Sequence, residues 1–116
     1  MPVLTIRTNV PGDGVEHNAL LAGASATVAE VLGKPEQYVM VSLECDQAMM
    51  FAGSDAPLAY LELKSIGLPG ERTREISATL CDFINRQLGI PQERIYIESA
   101  DAARKMFGWN GGTFER

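Results

Sequence analysis

The feature that most constrains this chain is an internal repeat. Residues 32–41 read LGKPEQYVMV, and residues 88–97 read LGIPQERIYI. Each copy has the pattern of a helix end, a glycine stop, a proline and a β-rich strand. Glycine readily takes the left-handed conformation that closes a helix, and proline prevents the helix from restarting. The repeat therefore predicts two copies of one supersecondary unit.

The match continues upstream of each copy. A proline opens a β-rich segment at residues 2–7 and again at 57–62, and a helical pattern follows each segment. Apolar residues recur there at spacings of three and four, as on one face of a helix. The first face comprises Leu20, Leu21, Ala24, Val28, Val31 and Leu32, and the second comprises Ile76, Leu80, Phe83, Ile84 and Leu88.

Each half, residues 2–46 and 57–100, is therefore predicted to form a β-α-β unit. Such a unit normally makes a right-handed crossover between parallel strands. Two units side by side predict one α/β (α+β) domain, with a four-stranded mixed sheet and both helices on one face. The linking residues 46–55 and the tail at 108–114 are each expected to add a short edge strand.

On this interpretation, the second face of the sheet must also be buried against protein. The strand segments 39–45 and 58–63 read as apolar on both sides, as in a sheet that is covered on both faces. Two helices cover one face only, so we expect an oligomer of sheets to cover the other. A closed ring would also hide the sheet edges.

Composition excludes several classes of function. The 116 residues suit a single domain, and the net charge of -5 argues against nucleic acid as a partner. No apolar run is long enough to cross a bilayer, and the N-terminus lacks a secretory pattern. We expect a cytoplasmic protein. Export by a route that needs no signal peptide is left open. With His17 as the one histidine of the chain, no metal site built from cysteine and histidine is expected.

Proline at position 2 is the local feature with the clearest chemistry. A small second residue usually permits removal of Met1, which leaves a secondary amine at the N-terminus. An α-amine has a pKa of roughly 7.7–8.0, and an apolar pocket lowers that pKa. Such a group can remove a proton next to a carbonyl. Many proteins begin with the same dipeptide and have no chemistry there, so Pro2 alone leaves both interpretations open.

A series of motifs accompanies Pro2 along the chain. They are TNVP at residues 8–11, GKPEQY at 33–38, DQAM at 46–49, SIG at 65–67 and GWNGGTF at 108–114. In this order and spacing they resemble the macrophage migration inhibitory factor family of the tautomerase superfamily over nearly the whole chain. The resemblance implies a homotrimer whose three sheets enclose a central barrel, with active sites between subunits. It also implies keto-enol tautomerisation of phenylpyruvate-type aromatic 2-keto acids and dopachrome analogues, without a cofactor.

The same resemblance implies the site residues. Pro2 would be the general base, Lys34 would bind the substrate carboxylate, Ser65 and Ile66 would line the site, Tyr96 would come from a neighbouring subunit, and Met106, Phe107, Trp109 and Phe114 would form or flank an apolar wall. A lysine is an adequate point charge for a carboxylate, and donors near the carbonyl oxygen would stabilise an enolate. Each position also has a structural interpretation: Lys34 as a solvated cation at a helix end, Tyr96 as sheet packing and the tail aromatics as an interface plug.

Two positions depart from the family pattern. Leu58 and Leu61 stand where some members carry a Cys-x-x-Cys motif, so thiol-disulfide exchange is expected to be absent. Glu98 stands where the best-known members have asparagine, near the substrate. A carboxylate there would favour a protonated Pro2 and would repel an anionic substrate, which predicts weaker or altered substrate use.

Other functions remain compatible with this sequence. The resemblance also admits a cytokine-like signalling or interaction protein with vestigial catalysis, since animal members act in that way. Decarboxylation or dehalogenation of a small acid is a further reaction of the superfamily, although the sequence offers no arginine pair to support it.

Overall fold

The computed structural model describes residues 1–115, and it contains two helices and six strands. In chain order they are β1 Val3–Thr8, α1 His17–Leu32, β2 Met40–Glu44, β3 Ala59–Ile66, α2 Thr73–Leu88, β4 Ile95–Ala102, β5 Gly108–Trp109 and β6 Gly112–Thr113.

The main sheet confirms the duplicated β-α-β architecture. Its strand order is β2-β1-β3-β4. Strands β1 and β2 are parallel, as are β3 and β4, and the two units meet through the antiparallel pair β1 and β3. Both N-terminal strands of the repeat therefore lie at the centre of the sheet, and β1 carries the N-terminus into it.

The predicted helix stops are present in both copies. Gly33 follows α1 with φ 63°, and Gly89 follows α2 with φ 70°. A left-handed residue at this position lets the chain turn back while its N–H caps a free carbonyl of the last turn. In each copy a proline and a single 3₁₀ turn then lead into the returning strand.

The core lies between the helices and one face of the sheet. The predicted helix faces are buried there, except that Leu21 and Leu88 are half-buried. Alternate strand residues complete the core, among them Leu4, Ile6, Leu61 and Leu63, each with no exposed surface. This burial of apolar area is the main source of stability in a domain of this size.

The expectation that the second face of the sheet is apolar is wrong. Side chains alternate between the faces of a strand, so the residues between the core positions point to the open face. They include Arg7, Glu44, Tyr60, Glu62 and Glu98. Arg7 forms an ion pair with Glu44 at 2.7 Å. The apolar content of these strand segments does not extend to both faces, because the period of two separates a dry face from a polar one.

The linking segment contributes no strand to the main sheet, contrary to expectation. It forms only an isolated bridge between Phe51 and Ser54. The Arg94 guanidinium holds this segment instead, because it donates hydrogen bonds of 3.0–3.2 Å to four backbone carbonyls. The tail forms a hairpin of β5 and β6, separate from the main sheet.

Candidate active site

The N-terminus lies at the end of β1, in the middle of the sheet. Pro2 is fully buried, and its carbonyl accepts a hydrogen bond from the Met40 N–H at 3.0 Å. The Met1 ammonium donates to the Tyr38 carbonyl at 2.6 Å. With Met1 in place, the Pro2 nitrogen belongs to a peptide bond, and its lone pair is delocalised.

The surroundings of the N-terminal amine disfavour its positive charge. Burial lowers the pKa of the Met1 ammonium from its ordinary value, and the nearby Lys34 charge lowers that pKa further. Both causes are properties of the place rather than of methionine. Burial and a nearby cation both disfavour the charged form of an amine.

Lys34, Ser65 and Ile66 lie together near this amine. The Lys34 Nζ donates to the Ile66 carbonyl at 2.6 Å, and the buried Ser65 hydroxyl donates to the same oxygen at 3.3 Å. Strand pairing places Val3 opposite Lys64, so the next position in the register brings Pro2 beside Ser65. Lys34 directly follows the glycine that ends α1, and this turn directs it back to the sheet.

Three aromatic side chains of the C-terminal tail form one wall of a crevice. The Phe114 ring stacks on Trp109 at 5.5 Å between centroids and contacts Phe107 edge-on at 5.9 Å. The crevice has a volume of about 200 Å³. Its lining residues are Met1, Val3, Gln37, Tyr38, Val39, Met40, Phe107, Gly108, Trp109 and Phe114. An apolar wall of this kind suits a flat aromatic ring.

Tyr38 is a site residue that the sequence analysis missed. Its ring packs edge-on against Trp109 at 5.7 Å and against Phe114 at 6.1 Å, while its carbonyl accepts the N-terminal ammonium. The motif GKPEQY at residues 33–38 contains Tyr38, but its spacing does not show that residue 38 meets Trp109 and Phe114 in the fold.

Met106 belongs to a different cavity. It is 76% exposed and lines a larger space of about 380 Å³ with Lys64, Ala100, Asp101 and Ala102. That cavity shares Phe107 and Gly108 with the crevice but does not include Met1, whereas Pro2 and Lys34 lie beside the crevice and line neither space. We take the smaller crevice as the candidate site, because it contains the N-terminal amine.

Tyr96 lies near the other end of the sheet and Glu98 lies midway along β4, and neither lines the crevice of its own chain. Tyr96 pairs with Tyr60, 64% of its surface is exposed, and its ring packs on Phe51 at 4.7 Å. Five positions separate Tyr96 from Asp101, the partner of Ser65, which is roughly 16 Å along a strand. Within one chain, therefore, the structure does not bring Tyr96 and Glu98 to the crevice.

Glu98 has a partner within its own chain. The Tyr60 hydroxyl donates to Glu98 Oε1 at 2.7 Å across the pair β3 and β4. This hydrogen bond is the main cause that raises the pKa of Tyr60 to about 12, with desolvation and the charges of Glu62 and Glu98 adding to it.

Leucine at positions 58 and 61 supplies buried core surface instead of thiols.

The hydrogen bond between Tyr60 and Glu98 leads to a spectroscopic prediction. In Glu98→Gln the acceptor loses its charge, so Tyr60 should titrate nearer its ordinary pKa of about 10. The folded pKa is raised, so the bond stabilises the fold below pH ~10, and this stabilisation is lost as the pH rises through about 12. Phenolate absorbance against pH measures the change. Glu93→Gln, on an exposed turn, is the control, and identical curves for both variants would contradict the assignment.

Two further observations concern the described residues 1–115. No three His, Cys, Asp or Glu side chains in this range are arranged to hold a metal ion. Neither helix in it has the length and hydropathy to cross a membrane.

Comparison with known proteins places this geometry in a family. The sequence profile described as macrophage migration inhibitory factor (MIF) matches residues 1–115. The chain belongs to the macrophage migration inhibitory factor family. This agrees with the resemblance inferred from the ordered motifs, which run from Pro2 to Phe114.

Similar members of the family span nearly the whole chain. Macrophage migration inhibitory factor of Xenopus laevis is 41% identical over 115 residues, which cover 98% of this chain and 99% of that protein. The homologue of Trichinella spiralis is also 41% identical, over 98% of this chain and all of that protein. The crystal structure of the homologue from Prochlorococcus marinus superposes with a TM-score of 0.91 at 47% identity, over 97% of this chain and 98% of that chain.

Proposed function

We propose that the protein is a cofactor-independent keto-enol tautomerase of phenylpyruvate-type aromatic 2-keto acids, with Pro2 as general base after removal of Met1. The observation that carries this proposal is the place of the N-terminal amine. The Met1 ammonium lies in an aromatic-walled crevice, where burial and the Lys34 charge lower its pKa. Removal of Met1 would leave the Pro2 amine one residue further along, beside the same crevice and near the same lysine. A neutral amine beside an apolar slot is what proton abstraction next to a ketone requires.

The residues in and beside the crevice would each have a separate role in the reaction. The Lys34 ammonium has three donors, of which one holds the Ile66 carbonyl, so the others are available to a substrate carboxylate. The aromatic ring would lie against Phe107, Trp109 and Phe114. The Pro2 nitrogen would take the proton from the carbon next to the ketone, and the electrons of that C–H bond would form the enolate. The same proton returned to the oxygen gives the enol.

The proposed active form is a homotrimer. The sheet presents a polar open face and two free edges, β2 and β4, and a closed ring would remove such edges. The exposed ring of Tyr96 lies far from its own crevice, so we place it in the crevice of a neighbouring copy, together with Glu98. The remaining polar residues of the open face would then line a wet central channel rather than a dry interface.

Lys34 gives this proposal a kinetic test. In Lys34→Gln the nearby cation is lost, so the pKa of the Pro2 amine should rise, and kcat/KM should reach half its maximum at a higher pH than in the parent protein. The KM for phenylpyruvate should also rise, since the carboxylate loses its partner. The pH profile of kcat/KM reports the base of the free enzyme.

The control for Lys34→Gln is a variant that loses a positive charge far from the crevice. Arg74→Gln removes a cation from the exposed face of α2 and should leave the profile unchanged. If Lys34→Gln and Arg74→Gln gave the same midpoint and the same KM, Lys34 would be only a solvated cation at a helix end.

A cytokine-like role is the alternative function. The relatives in Xenopus and other animals are named for inhibition of macrophage migration, which is a property of those proteins. The crevice chemistry favours the enzyme for this chain. A protein that retained Met1 in its natural state would favour the signalling role, because its Pro2 nitrogen would not be a base.

A further inference from the structure

The aromatic wall of the crevice lies on a segment whose own contacts are too few to keep it ordered. Phe107, Trp109 and Phe114 lie on or beside the hairpin of β5 and β6, whose strands have two residues each and pair only with one another. An isolated hairpin of this size is not stable in water. Chain ends are also poorly ordered unless something ties them down. Yet Phe114 is buried, with 8% of its surface exposed.

Two hydrogen bonds hold the backbone of Phe114, and one of them joins it to the rest of the molecule. Its N–H donates to the Phe107 carbonyl at 3.1 Å, which closes the hairpin on itself. Its carbonyl accepts a hydrogen bond from the Arg104 Nε at 3.0 Å. Arg104 stands in the 3₁₀ turn that follows β4. This second contact therefore ties the end of the hairpin to the end of the main sheet.

We propose that Arg104 is a positioning residue that keeps the aromatic wall in place against the crevice. Phe114 transmits its effect, because the ring stacks on Trp109 and meets both Tyr38 and Phe107. A guanidinium donor to a carbonyl is a charge-assisted hydrogen bond and is stronger than a neutral one. Arg104 is not among the residues that line the crevice, so it acts through Phe114 rather than on the substrate.

The chain has a built-in reporter for this role. Trp109 is its one tryptophan, and it lies on the hairpin that Arg104 is proposed to hold. In Arg104→Ala we expect acrylamide to quench Trp109 fluorescence more strongly than in the parent protein, with circular dichroism unchanged. Lys105→Ala, one residue further along the same exposed turn, is the matched control and should quench like the parent. Arg104→Lys keeps a charged donor and should restore most of the protection.

The kinetic arm rests on the proposed tautomerase function. Losing a hydrogen bond to a charged group should raise the KM for phenylpyruvate by roughly ten- to a hundredfold and leave kcat within about twofold, because the wall binds the ring and does not move the proton. The neutral methyl ester of phenylpyruvate should show the same fold-change. If the KM rose for phenylpyruvate but not for its methyl ester, Arg104 would act as a charge on the substrate carboxylate. That result would overturn the proposal.

The two arms separate the two claims. If the parent protein, with a verified free Pro2, turned over neither compound, the proposed function would fail while the fluorescence result still tested the hairpin. If Arg104→Ala and the parent were quenched equally, the positioning role would be wrong whatever the activity.

Discussion

The form that retains Met1 should turn over phenylpyruvate about 10²–10⁴-fold more slowly than the form that begins at Pro2. With Met1 attached, the nitrogen of Pro2 is an amide without basic character, and Met1 itself lines the crevice. Removal of Met1 would open that space and place a secondary amine at its wall. Treating one half of a Met1-containing preparation with methionine aminopeptidase gives both forms. Mass spectrometry verifies each terminus, and steady-state enolisation is then compared.

The two forms make a closely matched pair, because they share every residue after Met1. Both should sediment at about three times the 12.6 kDa mass of one chain and unfold at similar denaturant concentrations. A Met1-containing form with activity within tenfold of the processed one would remove Pro2 from the chemistry. Monomeric behaviour of both forms would leave Tyr96 with no crevice to enter.

Leu63→Ala should lower the free energy of unfolding by about 2–5 kcal/mol. Leu63 is fully buried and lies opposite Leu4 across the pair β1 and β3, where the two halves of the repeat join. The substitution leaves a cavity that neither strand can fill, because both are held in register by neighbours on each side. Guanidinium denaturation at one fixed protein concentration measures the change, with a shift in midpoint and an unchanged slope.

Leu21→Ala is the control for this core substitution. It makes the same chemical change on α1, but Leu21 is half-buried and is not part of the packed core cluster. Alanine is also the better helix former. We expect a change within about 0.5 kcal/mol, and an equal loss for both variants would show that burial at the join of the two units does not govern stability.

The repeat predicted the architecture because local signals agreed with each other. Gly33 and Gly89 stop the helices at equivalent places, and the spacing of apolar residues defined which helix faces are buried. The same reasoning failed for the open face, since the apolar content of residues 39–45 and 58–63 hid a period of two. It also placed a strand in the linker, where Arg94 holds irregular backbone instead.

The candidate site was only partly open to prediction. The family resemblance supplied Pro2, Lys34, Ser65, Ile66 and the tail aromatics as a set, and the structure draws them to one end of the sheet. Tyr38, Arg104 and the contact between Tyr60 and Glu98 were not foreseen. Each depends on side chains brought together over long stretches of chain or on a single long side chain reaching a carbonyl, and no spacing rule describes either.

By itself, then, the amino-acid order determined the two β-α-β units, their helix stops and their buried helix faces, because these follow from backbone preferences and periodicity over a few residues. The tertiary structure decided that the N-terminal amine lies in a crevice with an aromatic wall and close to Lys34. It also decided that Tyr96 and Glu98 lie away from that crevice. These arrangements depend on strand order and register across the whole chain, where distant segments meet and local preference has no influence.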